Sequence, residues 1–385
     1  MTNGHKFVLE PVDTFFFPGH RPFNQDDPGL GEAEARFPPP PHVLAGCIRA
    51  AIARAQGWSE PWDDTAKALL GDGPFDTGGS TFGPPLIVRR DGTVDSVFFP
   101  APAALFGHFT PKWPGEELEE VRLLVPCTGE AIESDADRLQ SPRLPRSKDG
   151  AWRSLDGWWI RRNQLKHLLK DGSCTTEGLV APSEIWRQRA RVGVETDRVS
   201  HRAKDSMLYS VAFGQLAGET VGFGVAADLP KQAPAPPAGS LVPLGGRGRG
   251  TALGETGAAL STKVTPATLK VVDGLVHYMV ILVSPAFLGG GPVPDEIDAL
   301  PGTLVGAVHE RPSMLGAWHH AAPEDRRYTR LHPAGSTWFF TSTEKPRALH
   351  AALEKIRKTG LGAHCKAGFG ALVFGRWNPC TGETR

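Results

Sequence analysis

The last third of the chain carries the pattern that most restricts its fold: a strand, a helix, a glycine-rich loop and a second strand in direct succession. The first strand is predicted over 334–343, where the sequence reads AGSTWFFTST. A helix is predicted over 345–360, because Pro346 suits a first turn, Gly360 suits the position after the last turn, and apolar residues recur at helical spacing. That apolar stripe consists of Leu349, Ala352, Leu353 and Ile356. Such a unit is typical of a sheet with helices on one face.

The glycine-rich loop GAHCKAGFGALVFGRW, residues 362–377, has the composition of a phosphate-binding loop but not its context. A dinucleotide fingerprint follows a strand and opens a helix, whereas this loop follows a helix, opens a strand and has Val373 at the third glycine position. It also lacks the Gly-Lys-Ser/Thr of a P-loop. Two interpretations remain. The glycines allow a tight turn beside a helix, or they let the backbone approach a sugar-phosphate chain next to Lys366 and His364.

The beginning of the chain predicts a related unit. A strand is predicted over 6–19 and a helix over 42–57, and a hairpin over 85–100 is indicated by Asp91-Gly92 between two apolar runs. Strand, helix and hairpin are the start of a βαββ arrangement.

A Pro/Ala-rich loop at 227–240 predicts a boundary between the two parts. We therefore predict an α+β protein with halves over 1–226 and 241–385, each an antiparallel sheet with helices on one face. The 45 glycines and 35 prolines predict few long helices, many loops and large insertions, placed at about 105–210.

Charge is segregated although the chain is neutral overall, with 42 basic and 42 acidic residues. Residues 115–140 have a net charge of −6, and residues 143–204 have a net charge of +7. The acidic block fits no known metal-binding loop and predicts a solvated or partner-facing helix. The basic block is interleaved with four tryptophans, which suits RNA because bases stack on rings while guanidinium groups meet phosphates. A solvated surface of mixed sign is the alternative for either block. The four tryptophans are Trp152, Trp158, Trp159 and Trp186.

The five cysteines show no CxxC spacing, which argues against a zinc site and against a disulfide framework. We therefore expect reduced thiols. The first residues, MTNGHKFVLE, lack the apolar stretch of a signal peptide, and the apolar run LVHYMVILV is too short to span a bilayer. A cytoplasmic location is therefore expected.

Six segments, taken in order along residues 8–378, resemble one family. The six segments are LEPVDTFFFPGHRPF, PPPPHVLAGCIRAAI, RVGVETDRVSHRAKDSMLY, LGGRGRGTAL, GAWHH followed by HPAGSTWFF, and GFGALVFGRW. They are similar to the Cas5-like subunit three of the type III-B CRISPR (Cmr) effector complex, a member of the RAMP superfamily. The departures are Pro18-Gly19-His20, where the family has Arg-Asp-Gly, and His42, where Ser or Thr usually caps the first helix.

The resemblance implies two ferredoxin-like (RRM-like) halves, no cofactor and no catalytic activity. It implies a subunit of a cytoplasmic ribonucleoprotein of antiviral defence that binds the 5′ handle of the CRISPR RNA. The implied protein partners are the large cyclase/polymerase subunit and the first backbone subunit.

Residue chemistry and the resemblance together predict the RNA contacts. Gly46 inside a helix suggests a close neighbour, and Arg49 one turn on suits a phosphate.

The GGRGR segment at 245–249 is expected to be ordered over RNA, a disordered RGG-like segment or a solvated turn being the alternatives. Segment 187–204 resembles a thumb, and its Arg187, Arg189 and Arg191 would share one face of a strand. The predicted RNA-binding residues are Arg21, His42, Gly46, Arg49, Arg198, His201, Arg202, Lys204, Arg247, Arg249, His364, Lys366, Gly368, Phe369 and Gly370.

Three other functions stay open at this point. A related RAMP branch cleaves CRISPR repeats without metal, and His42 would be the general acid or base in that chemistry. The other two alternatives are the equivalent subunit of a type III-A complex and a protein adaptor that never touches RNA.

Overall fold

The protein is described by a computed structural model. The structure describes residues 2–18, 33–59, 61–92, 94–113, 115–131, 139–143, 151–197, 200, 202–218, 220–264, 269–290, 293–316 and 328–379.

Helices are few and mostly short, as the glycine and proline content predicts. The α-helices of the described residues are α1 (Pro41–Ala55), α2 (Asp64–Leu70), α3 (Arg162–Asp171), α4 (Pro182–Ile185), α5 (Asp295–Asp298) and α6 (Pro346–Thr359), and Thr176–Gly178 forms a 3-10 turn.

Strands dominate the fold. They are β1 (Thr2–Pro11), β2 (Ala33–Glu34), β3 (Thr81–Phe82), β4 (Leu86–Asp91), β5 (Val94–Pro100), β6 (Leu105–Lys112), β7 (Gly115–Leu123), β8 (Val125–Ala131), β9 (Gln140–Arg143), β10 (Ala151–Ser154), β11 (Trp159–Arg161), β12 (Leu179–Val180), β13 (Trp186–Thr196), β14 (Ala203–Leu216), β15 (Val221–Pro230), β16 (Ser240–Pro243), β17 (Gly250–Glu255), β18 (Val271–Val272), β19 (Leu275–Leu282), β20 (Thr303–Val308), β21 (Ser313–Gly316), β22 (Tyr328–Leu331), β23 (Thr337–Ser342) and β24 (Leu372–Arg376).

The chain divides into two compact units that do not follow the contiguous halves expected from the sequence. Unit 1 comprises Met1–Asp95, Pro182–Gly257 and Leu315–Arg327, and unit 2 comprises Ser96–Ala181, Ala258–Met314 and Tyr328–Arg385. The expected boundary loop at 227–240 lies within unit 1, and its first four residues belong to β15.

Unit 1 is built on the strand order β17-β1-β15-β4, in which every neighbouring pair is antiparallel. Numbered along the chain as first to fourth, these strands stand in the order 4-1-3-2, and α1 connects the first to the second. This is the ferredoxin-like order. Where a second helix would follow the third strand, the described chain has the edge strand β16 and a turn.

Unit 2 repeats the same order with strands β24-β19-β23-β20, again antiparallel throughout. The short α5 follows the first strand, and α6 connects the third strand to the fourth. Leu349 and Leu353 of α6 are buried in the core of this unit, as the apolar stripe predicts. The α+β class and the ferredoxin-like organisation predicted from the sequence are therefore confirmed.

Gly375 of β24 marks a close approach of strand and helix. A Cβ atom at this position would lie 2.5 Å from the Cα atom of Leu169, which belongs to α3. Only glycine allows β24 and α3 to pack at this distance.

The prediction of an acidic helix within 115–140 is wrong for the described residues of this block, because residues 115–123 form β7 and residues 125–131 form β8. Leu118 and Val121 are three positions apart, which looks helical. The pairing of β7 with β6 contains a bulge in which Glu119 is the extra residue. Because the extra residue of a bulge shifts the alternation by one position, residues three apart lie on the same face of the strand. The three-residue spacing of Leu118 and Val121 therefore reflects the bulge in β7.

Two further expectations were partly wrong. The predicted strand over 6–19 ends at Pro11, and Phe15, Phe16 and Pro18 make only isolated bridges. Cys47, Cys174 and Cys365 are free thiols, as expected, whereas Cys127 is disulfide-bonded. No helix within the described residues has the length and apolar character needed to cross a membrane.

Candidate nucleic-acid interface

The GGRGR segment at 245–249 forms an ordered turn. Gly246 donates its backbone N–H to the Phe16 carbonyl at 2.9 Å, and Leu244 donates to the Arg249 carbonyl at 2.8 Å. Gly245 has φ +68°, and a Cβ there would lie 2.5 Å from the Phe16 carbonyl oxygen. The segment is therefore anchored by its backbone to the chain before β2, which excludes the disordered alternative.

The turn brings its arginines onto two phenylalanine rings. The Arg249 guanidinium carbon lies 4.4 Å from the Phe213 ring centre, and that of Arg247 lies 5.4 Å from the Phe16 ring centre. The two rings contact each other edge to face, with centroids 5.6 Å apart. Buried rings of this kind orient guanidinium groups through cation–π contact.

A third arginine reaches the same rings from the hairpin β13–β14. Arg189 pairs with Phe213 in the strand register and Arg191 pairs with Val211, so all four side chains lie on one face. Arg191 reaches Phe213 diagonally, with its guanidinium carbon 5.4 Å from the ring centre. The predicted alternation of arginines on a strand face is confirmed. We call Phe16, Phe213, Arg191, Arg247 and Arg249 the arginine–phenylalanine cluster.

Most hydrogen-bonding capacity of these guanidinium groups is unused. An arginine carries five N–H donors. Within the described residues, Arg191 and Arg249 each donate to Asp13, at 3.1 Å and 3.5 Å, and Arg247 makes no hydrogen bond or ion pair. The buried Nε of Arg249 has no acceptor among those residues. Among the described residues, the carboxylate of Asp13 contacts two of the three guanidinium groups, which leaves the cluster with a net positive charge that suits phosphate oxygens.

Arg49 does not have the surroundings predicted for a phosphate ligand. Its side chain is only 5% exposed and donates to the carbonyls of Gly73 and Gly71 at 2.8 and 2.9 Å. The guanidinium also lies 5.4 Å from the centre of the Trp62 ring, and burial lowers its pKa. Arg49 thus holds the loop after α2 against α1, and this geometry gives no support to an RNA contact.

The other predicted residues of α1 also differ from expectation. A Cβ at Gly46 would meet no heavy atom of the described residues within 4 Å, so these residues do not supply the close neighbour that was inferred. His42 is the second residue of α1, half-buried, with its ring 5.3 Å from that of Phe75. The residue at the N-cap is Pro40, which makes no side-chain capping bond.

In the C-terminal loop, the glycines serve the turn itself. Gly368 donates its N–H to the Cys365 carbonyl at 3.1 Å, and Gly370 donates to the Pro285 carbonyl at 2.9 Å. Gly370 has φ +62°, and a Cβ there would lie 1.9 Å from the Leu361 carbonyl oxygen. These N–H groups therefore point into the protein, and the tight-turn interpretation explains both glycines.

Phe369 is also internal. It is 1% exposed, and its ring lies 4.8 Å from that of Phe287. The predicted RNA contacts at Gly368, Phe369 and Gly370 consequently lack an accessible group.

The tip of the same loop remains exposed. His364 adopts φ +60°, and its carbonyl accepts the Ala367 N–H at 2.9 Å, which closes the turn around Lys366. Lys366 is exposed and forms no ion pair among the described residues. Burial lowers the pKa of His364, so its ring is neutral at pH 7 and acts as a stacking or hydrogen-bonding group.

Of the remaining predicted RNA contacts, some lie outside the residues that the structure describes. Arg21, Arg198 and His201 lie outside the described residues. Arg202 is exposed, and its carbonyl accepts the Asp197 N–H at 2.8 Å at the end of the β13–β14 hairpin. Lys204 belongs to β14, and its backbone alone is described.

Sequence reasoning missed Phe16, Phe213 and Asp13. No local signal marks them, because Asp13 and Arg249 are 236 positions apart and meet only through the sheet register. Among the described residues, no group of three or more His, Cys, Asp or Glu side chains is arranged to hold a metal ion.

Comparison with known proteins identifies the family. The model of the family described as CRISPR-associated protein (Cas_Cmr3) matches residues 7–377. Among solved structures, a chain of the cryo-EM structure of the Type III-B Cmr-beta bound to cognate target RNA is 14% identical, with a TM-score of 0.46, covering 96% of this chain and 98% of that one. A chain of the same complex with cognate target RNA and AMPPnP, state 1, is 12% identical, with a TM-score of 0.45, covering 92% and 88%. No curated protein matches the sequence. The chain therefore belongs to the Cas_Cmr3 family of CRISPR-associated proteins, which confirms its resemblance to subunit three of the type III-B effector complex.

Proposed function

We propose that this chain is a non-catalytic, RNA-binding scaffold subunit of a type III-B CRISPR ribonucleoprotein and that it binds the 5′ handle of the CRISPR RNA. The observation that carries the proposal is the arginine–phenylalanine cluster. Its three guanidinium groups are oriented by Phe16 and Phe213 and have unused donors, while the chain as a whole is neutral. A local positive site on a neutral chain suits a subunit that meets RNA at limited sites of its surface.

The cluster supplies the two kinds of contact that RNA needs. Guanidinium groups bind phosphates with paired donors, and they also stack on unpaired bases. Arg189 on the same strand face extends the positive surface along β13, although its Nε already donates to Gln215 at 2.8 Å.

The tip of the C-terminal loop is a second proposed contact. Lys366 offers a charge without an internal partner among the described residues, and the neutral His364 ring beside it suits a base or a sugar hydroxyl. His364 packs edge to face on Phe287 at 4.9 Å, which fixes the ring in one orientation.

The proposed protein partners are the large cyclase/polymerase subunit and the first backbone subunit. The hairpin β6–β7 supports a protein-facing surface. Its tip carries Trp113, which is 96% exposed, and β7 presents an exposed row of glutamates. A fully exposed tryptophan is characteristic of residues that anchor protein interfaces. The exposed glutamates are Glu116, Glu117, Glu119 and Glu120.

Crosslinking of the assembled complex tests RNA binding. A CRISPR RNA with photoreactive nucleotides in its handle is expected to crosslink to this chain, and Arg191→Gln with Arg249→Gln should reduce the yield severalfold. Arg187→Gln is the matched control, because Arg187 lies on the same face of β13 but contacts neither ring. Absence of handle crosslinks to this chain would contradict the proposal and favour a pure protein adaptor.

Cleavage by His42 is the rival activity. The His42 ring is half-buried against Phe75, which gives no specific support for general acid or base chemistry. Incubating the purified chain with repeat RNA in the absence of metal is expected to leave the RNA intact. Defined cutting that disappears in His42→Ala would replace the scaffold function with an endonuclease.

A further inference from the structure

Among the described residues, one carboxylate contacts the arginine–phenylalanine cluster, that of Asp13. A single oxygen, Oδ2, accepts from Arg191 Nη2 at 3.1 Å and from Arg249 Nη1 at 3.5 Å. The Thr14 hydroxyl donates to the same oxygen at 3.5 Å. One anionic oxygen between two guanidinium groups is also the arrangement that a bound phosphate oxygen adopts.

The backbone fixes Asp13 at this place. Val12 donates its N–H to the Gly250 carbonyl at 3.1 Å, and Phe15 donates to the Gly214 carbonyl at 2.8 Å. These bonds tie the chain on both sides of Asp13 to β17 and β14. The main chain cannot withdraw from the cluster, but the side chain can rotate away from it.

The Asp13 contacts are weak enough to be replaced. The side chains of Asp13 and Arg191 are 50% and 52% exposed and that of Arg249 is 21% exposed, and ion pairs open to solvent contribute little to stability. A phosphodiester that uses the unspent donors of both arginines would make more hydrogen bonds than the carboxylate does.

We propose that Asp13 is an internal competitor, a carboxylate that occupies the phosphate position between Arg191 and Arg249 until single-stranded RNA displaces it. The inference rests on the proposed RNA-binding function and adds to it a residue that limits affinity. Asp13 keeps the two guanidinium groups close to the Phe213 ring in the free chain. It also opposes weak anions, so that only a ligand making further contacts replaces it.

Two measurable consequences follow. Removing the charge of Asp13 should tighten the binding of single-stranded RNA about three- to tenfold, because two partly exposed ion pairs no longer have to be broken. The slope of log K against log salt should stay the same as in the unchanged chain, since the phosphate that displaces Asp13 releases its counterion in both chains.

The experiment measures binding of a fluorescent single-stranded RNA to the full chain by anisotropy at several salt concentrations. Asp13→Asn should bind more tightly and keep the salt slope of the unchanged chain. Asp228→Asn is the matched control, because it makes the same change of net charge at an exposed position of β15. Asp13→Glu keeps the charge and should bind like the unchanged chain, which separates charge from packing. In an Arg191→Gln, Arg249→Gln background, Asp13→Asn should have no effect.

The outcomes separate this inference from the proposed function. If Asp13→Asn binds no more tightly than Asp228→Asn while the two arginine substitutions still weaken binding, the competitor role is wrong and the RNA site stands. If the arginine substitutions leave binding unchanged as well, the cluster is not an RNA site and both proposals fail.

Discussion

The guanidinium carbon of Arg249 lies 4.4 Å from the centre of the Phe213 ring, the shortest cation–π distance in the arginine–phenylalanine cluster. Phe213 is 5% exposed and belongs to a small buried group with Phe16 and Val211. A rigid buried ring thus orients a charged side chain that remains partly accessible. Orientation before binding reduces the side-chain entropy that is lost when a phosphate arrives.

Replacing the ring should therefore affect RNA binding more than folding. Phe213→Leu is expected to weaken binding of single-stranded RNA about threefold, through loss of a cation–π contact. Its free energy of unfolding should fall by roughly 1 kcal/mol, since apolar volume is mostly kept. Anisotropy titration and urea denaturation measure the two quantities. Phe213→Tyr retains the ring and serves as the control; equal affinities of the leucine and tyrosine variants would show that the ring is not a platform.

Arg49 is predicted to matter for stability instead of RNA binding. Arg49→Gln removes the charged donor from two carbonyls and should lower the free energy of unfolding by about 3 kcal/mol. Urea denaturation checks this value. Arg54→Gln on the same helix is the control, because the exposed Arg54 makes a single 3.4 Å contact with the Leu241 carbonyl. A stable Arg49→Gln variant with weakened RNA binding would reverse the assignment.

Two glycines should respond in opposite directions to alanine. Gly46 lies in α1 with open space around its Cβ position, so Gly46→Ala should stabilise the chain by about 1 kcal/mol through helix propensity. Gly370→Ala should destabilise it by about 2 kcal/mol or more, because φ is +62° and the new Cβ would meet the Leu361 carbonyl. Thermal denaturation compares the two variants. Similar melting temperatures would mean that the backbone constraints described for these sites are not real.

The extent of sequence-based prediction differs between the fold and the site. Features that depend on a local sequence pattern were predicted correctly. They are the buried Leu349 and Leu353 stripe of α6, the turn at Gly92 after β4 and the alternation of arginines on β13. The acidic block at 115–140 was wrongly expected to be helical, because its charge alone does not distinguish a helix from the bulged strand β7.

The site was predicted less well, because exposure and partners depend on contacts that sequence spacing does not encode. Arg49 and Phe369 have the chemistry of RNA ligands, yet both are buried by residues distant in the chain. Arg247 and Arg249 were predicted from their residue chemistry together with the family resemblance. Arg247 and Arg249 lie beside Arg191 and Asp13 because of the strand registers of β14 and β17. The sequence alone does not specify these registers.

Lys366 should contribute to RNA binding without contributing to stability. Lys366→Glu is expected to weaken handle binding about fivefold and to reduce the salt slope by about 0.7, since one phosphate contact is lost. Unfolding should be unchanged, because the side chain is exposed. Lys270→Glu, also exposed in unit 2, is the control for the change of charge. Equal weakening by both substitutions would indicate general electrostatics and no specific contact at the loop tip.

Glu310 gives unit 2 a pH dependence that its sequence does not show. Burial, together with a hydrogen bond to Asp156 and the charge of that residue, raises the pKa of Glu310 from 4.5 to about 8. A carboxyl whose pKa is raised in the folded state stabilises the fold when protonated. Its contribution is complete below its unfolded pKa, near 4.5, and is lost as pH rises towards 8.

Glu310→Gln mimics the protonated side chain at every pH. The variant should be close in stability to the unchanged chain at pH 5 and more stable than it at pH 8, so the difference grows across that interval. Urea denaturation at several pH values measures it. Glu184→Gln, at an exposed position, is the control for the loss of one carboxylate. A constant difference for Glu310→Gln would mean that Glu310 is ionised throughout this pH range, because only a protonated Glu310 can lose stabilisation as pH rises.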